Sequence, residues 1–110
     1  MIAFTHAAVC RWEAAAAAAR QAVEHARLAG NKRLESRLSG AYSQALCDSP
    51  TPVSAAIAAC EEMLARDLHH KQSEAMIVNS LACLVALDGD FERARTLYRE
   101  ARAIDRKSVV

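Results

Sequence analysis

Turn-forming and aromatic residues are scarce in this sequence. Its 110 residues include 3 glycines and 2 prolines, and aromatics make up 5%. A β-sandwich or barrel needs a turn about every 8–12 residues, so so few breakers exclude an all-β architecture. No charge of one sign prevails: 14 Lys and Arg face 13 Asp and Glu, for a net charge of +1. Nucleic-acid-binding domains usually have a pI above about 9, whereas this chain's is near 7.7. No apolar run approaches the roughly 18 residues of a membrane span. Residues 1–10 contain His6 and lead directly to Arg11, unlike a secretory leader. The four cysteines, Cys10, Cys47, Cys60 and Cys83, form no CxxC pair. Three of them sit among apolar neighbours, where a free thiol acts as a small hydrophobe. A reduced, cytoplasmic protein with no disulfide framework is expected.

What the chain has is alanine, 25 residues of it, within an apolar fraction of 53%. That fraction excludes a disordered chain. Ala, Leu and Arg are strong helix formers, and the length suits one small domain spanning 1–110. The expected class is all-α. Breakers at Gly30-Asn31, Asp48-Ser49-Pro50-Thr51-Pro52, His69-His70-Lys71 and Asp88-Gly89-Asp90 divide the chain into about five helices.

The last segment is the clearest. Phe91, Ala94, Leu97, Tyr98, Ala101 and Ile104 form one apolar stripe at helical period. Asp90 suits its N-cap, and Gly89 suits a left-handed end to the preceding helix. Before it, Ile77, Val78, Leu81, Ala82, Leu84 and Val85 make a stripe wide enough to be packed on two sides. A middle helix is predicted from Thr51-Pro52, with Thr51 capping and Val53, Ala56, Ile57, Cys60 and Leu64 as its stripe. Glu62 and Arg66 are spaced for an i,i+4 pair. In residues 31–46 the apolar positions Leu34, Leu38, Ala41, Tyr42, Ala45 and Leu46 are expected to be buried, with Gly40 permitting close helix approach. The first full helix is predicted over residues 12–29. It contains six consecutive alanines, Ala14–Ala19, with Trp12 supplying bulk at one end. The segment upstream reads equally as a short helix or an arm.

The series Val78, Leu81, Ala82, Val85, Gly89, Phe91, Ala94, Tyr98 and Ala101 has the spacing of the tetratricopeptide (TPR) pattern. Val78 stands where Trp is usual, and Ala82 where Gly is usual. The second-helix register recurs as Val53, Ala56, Cys60 and as Trp12, Ala15, Ala19, Ala22. The chain therefore resembles about two and a half TPR helix pairs, a slice of a longer array. Residues 49–65, together with Leu81-Ala82 and residues 89–97, resemble more narrowly the repeat region of large bacterial signalling proteins. Those proteins join an ATPase module to a nucleotidyl cyclase or a helix-turn-helix domain. The resemblance implies a right-handed superhelix of stacked hairpins and a protein or peptide partner. It also implies a role in transcriptional or nucleotide signalling. It implies that the first helix of each pair lines a concave face. Met76, Asn79 and Cys83 would then face the groove in the last pair, and Arg37 and Tyr42 in the earlier one.

Catalytic chemistry finds little support. No G-x-x-x-x-G-K-[ST] phosphate loop is present. His6 and Cys10 have a metal-ligand spacing, but a zinc site needs two more ligands. His69-His70 reads as a solvated loop, and Glu61, Glu62 and Asp67 as one polar helix face. No enzyme activity, metal or cofactor is expected. The expected function is a non-catalytic interaction or assembly module. One alternative is homodimerisation through the alanine-rich first helix, which lacks an obvious partner. A second is a helix-turn-helix DNA binder, which the near-neutral charge and long helices oppose.

Overall fold

The computed structural model describes the backbone of residues 2–49, 51–66 and 70–109, and the side chains of 13–49, 51–66 and 70–106. Among them are five helices and no strand: α1 (Ile2–Leu28), α2 (Lys32–Asp48), α3 (Val53–Ala65), α4 (Lys71–Leu87) and α5 (Phe91–Val109). α1 is continuous from Ile2, so the stretch ahead of Trp12 is helix rather than arm. The Trp12, His6, Cys10 and His69 side chains, on which the bulky anchor, the metal pair and the polar corner rest, lie outside the described residues.

Two of the connections are built alike. Gly30 and Gly89 adopt positive φ, +72° and +96°. After each, the next backbone N–H reaches back to a carbonyl five residues earlier: Asn31 to Ala26 at 3.0 Å, and Asp90 to Val85 at 3.1 Å. Both pairs of bonds satisfy carbonyls that the ending helix leaves open. The residue after each glycine then caps the next helix. The Leu34 N–H donates to Asn31 Oδ1 at 3.1 Å, and the Arg93 N–H donates to Asp90 Oδ1 at 3.2 Å. α3 starts one residue later than the cap signal implied. Pro52 holds its N-cap position without a side-chain bond, because the Thr51 hydroxyl pairs with Ser49 at 2.7 Å instead. His70 caps α4, its Nδ1 accepting from the Ser73 N–H at 3.2 Å.

α4 is the central element. It packs against α2, α3 and α5, one neighbour more than its wide apolar stripe suggested. Its buried residues, Ile77, Val78, Leu81, Ala82, Leu84 and Val85, form the core with Ala56, Cys60 and Met63 of α3 and Ala94, Leu97 and Ala101 of α5. Alanine is useful here because it lets backbones approach: Ala56, Ala82, Ala94 and Ala101 are all buried. Ala15 is exposed and Ala16 is buried in its place, since six identical residues carry no register.

α2 departs most from expectation. Leu34 and Ala41 are exposed, and the buried face is Glu35, Ser36, Ser39, Gly40, Ser43 and Leu46. Serine can be buried on a helix because its hydroxyl bonds the preceding turn. The Ser43 hydroxyl donates to the Gly40 carbonyl at 2.7 Å and lies 3.2 Å from the Ser80 hydroxyl of α4. A Cβ built on Gly40 would sit 3.4 Å from the Met76 sulfur, an ordinary contact distance. The α2–α4 seam is thus made of small residues. α1 packs on α2 alone among the described elements.

Candidate functional site

An open groove of about 470 Å³ runs between α2, α4 and α5. Met76 and Asn79 of α4 line it, with Gln44 of α2 and Tyr98 and Arg102 of α5. These positions converge because α4 lies beside α2 and in front of α5. Asn79 and Tyr98 are exposed and Met76 is half-buried, so the groove offers carboxamides, an aromatic ring and a thioether to solvent. The Gln44, Gln72 and Asn79 carboxamides all line it, and none is hydrogen-bonded to another described side chain or backbone group. A free carboxamide carries both a donor and an acceptor, the pairing that a peptide main chain needs.

Of the five residues expected on this face, Met76 and Asn79 meet in the groove. Cys83 is half-buried on α4 and does not line it; Arg37 is exposed on α2 and lines neither this groove nor the cavity described next. Tyr42 belongs to a separate cavity between α1, α2 and α3. Its face of α2 is turned toward α1. Sequence reasoning missed Gln44, Gln72, Tyr98 and Arg102. Tyr98 was assigned to an apolar stripe, although it is polar at its tip and exposed.

The thiols of Cys47 and Cys60 are not set up as nucleophiles. Burial pushes Cys60 up to about 12, with Cys47 and Glu61 adding in the same direction. Burial likewise pushes Cys47 up to about 11; the neighbouring Cys83 adds to this, while the Ser80 side chain works against it. Both remain protonated thiols at neutral pH, and the thiolate is the reactive form. Among the described residues, no three His, Cys, Asp or Glu side chains gather as metal ligands do, and no helix is long and apolar enough to cross a membrane.

Comparison with protein-family models, with curated proteins and with solved structures finds no match for this chain.

Proposed function

We propose that the chain is a non-catalytic interaction module of the tetratricopeptide kind, holding an extended peptide in the groove between α2, α4 and α5. The observation that carries this reading is the convergence of three unpaired carboxamides, Gln44, Gln72 and Asn79, in one open groove with Tyr98. Such groups pair with peptide main-chain amides, while the aromatic ring supplies contact area at low entropic cost. The helix order supports the reading: α2 and α4 lie side by side, with α3 packed behind α4 and α5 following it. So does the Gly89-Asp90-Phe91-Glu92 stretch, which opens α5 as second helices open in such repeats. The same resemblance supports a setting in bacterial transcriptional or nucleotide signalling.

Selection of peptides from a displayed random library against the intact chain tests the groove. Peptides that bind the native chain are expected to lose binding to Asn79→Arg and to keep it with Arg37→Ala. An empty selection, or peptides indifferent to Asn79→Arg, overturns the reading.

A second reading rests on α1. Among the described residues it packs only on α2, and Ala14, Ala15, Ala17 and Ala18 are exposed. Small side chains permit close helix contact, so this face suits a second copy of the chain. Light scattering across a dilution series distinguishes the two: a monomer at every concentration removes the dimer.

A further inference from the structure

α1 and α3 both lean on α2 without packing on each other, and the gap between them is a cavity of about 140 Å³. A cavity near this volume holds a molecule of about six heavy atoms or slightly more. At its floor lies Ser39, 1% exposed, whose hydroxyl is the one buried side-chain polar atom among the described residues with no hydrogen-bond partner. A buried hydroxyl left unpaired costs roughly 1–3 kcal/mol, so it marks a place where a partner is due.

The walls carry charges of both signs. Two ion pairs there are closed within the chain, Glu35 with Arg66 and Glu24 with Arg27. Arg20 of α1 and Glu62 of α3 also line the cavity, and neither has an ion-pair partner among the described residues. They act on the Tyr42 phenol in opposite directions: burial is the main force raising it, Arg20 lowers it, and Cys60 and then Glu62 raise it. The cavity thus has a cation on one flank and a carboxylate on the other. The hydroxyl of Ser39 lies below, and Val23 and Met63 make apolar wall.

We infer that this cavity binds a free α-amino acid with a small aliphatic side chain, alanine to valine in size. The ligand carboxylate pairs with Arg20, its ammonium with Glu62, and one of its polar groups completes the Ser39 hydroxyl. A zwitterion leaves the site neutral, as its three arginines and three glutamates already make it. A simple anion or cation leaves one flank unpaired. The inference does not depend on the peptide groove, which shares α2 with the cavity but none of its lining residues.

Isothermal titration of the intact chain with L-valine tests it, alongside isobutyrate and isobutylamine, which each lack one charged group. L-valine is expected to bind saturably at millimolar concentration, and each analogue roughly tenfold to a hundredfold more weakly. Arg20→Gln and Glu62→Gln, both at exposed positions and expected to keep the native circular dichroism spectrum, are each expected to weaken L-valine by a similar factor. Ser39→Ala is expected to weaken it less. Absence of saturable binding overturns the inference. So does isobutyrate or isobutylamine binding as tightly as L-valine, or Arg20→Gln and Glu62→Gln binding L-valine unchanged.

Discussion

Arg66, the C-cap of α3, closes two hydrogen bonds on the carboxylate of Glu35 in α2, from Nε and, at 3.0 Å, from Nη2. Glu35 is 2% exposed, whereas Arg66 keeps over a third of its side chain in water. The sequence spacing had paired Arg66 with Glu62 on its own helix. The buried carboxylate wins because it has lost its water and the exposed one has not. The bond fixes the end of α3 against a helix it otherwise touches little.

Removing the guanidinium strands the carboxylate in the interior, which is more damaging than removing both charges. Arg66→Gln is expected to lower the melting temperature by several degrees, and Glu35→Gln by less. Arg66→Lys recovers only part, since an ammonium cannot match the two-pronged bond. Thermal unfolding followed by circular dichroism checks the order, and equal melting temperatures for all three contradict it.

Two glycines are expected to respond to alanine with opposite sign. At Gly40 the added Cβ meets Met76 at ordinary contact distance, so Gly40→Ala gains roughly 0.5–1 kcal/mol of helix preference. At Gly89 the φ of +96° is strained for any L side chain, and Gly89→Ala loses about 1 kcal/mol or more. Urea unfolding midpoints measure both.

His70 caps α4 with an imidazole nitrogen, a position that Asp fills better. An aspartate also faces the positive end of the helix. His70→Asp is expected to stabilise the fold by about 0.5–1 kcal/mol at neutral pH. A lower urea midpoint for this variant would show that the imidazole serves more than the cap.

The two raised thiols impose a pH dependence. Each has an ordinary value of 9.0 and is held protonated by the fold to about 11 or 12. Above pH 9 the unfolded chain releases these protons and the folded chain does not, so unfolding is favoured as pH rises. The stability is complete below about pH 9 and declines through the window up to 12. Cys60→Ala is expected to flatten that decline between pH 8.5 and 10.5, on the order of half its slope. A slope unchanged in the variant would assign the decline to other groups.

The all-helical class and the α4–α5 hairpin were legible in the sequence because apolar period, caps and Gly89 agreed there. α2 was not. Its interior face is Ser36, Ser39, Gly40 and Ser43, and a search for apolar stripes is blind to residues buried for their size. α1 defeated the same reasoning for the reverse reason, since a uniform alanine run offers every register at once. Within the groove, Met76 and Asn79 are positions that the repeat resemblance had implied. Gln44, Gln72 and Arg102 were not, because an unpaired polar residue on a helix reads like any solvated one.

The different number of neighbours around α1 and α4 divides the molecule into two levels of motion. Among the described residues α1 has a single interface, with α2, whereas α4 shares contacts with α2, α3 and α5 together. In amide exchange, α1 is expected in the faster, sub-global class and α4 among the slowest protons. The cavity beside Ser39, walled on one side by α1, is then expected to exchange its contents at the rate of that local opening rather than of global unfolding.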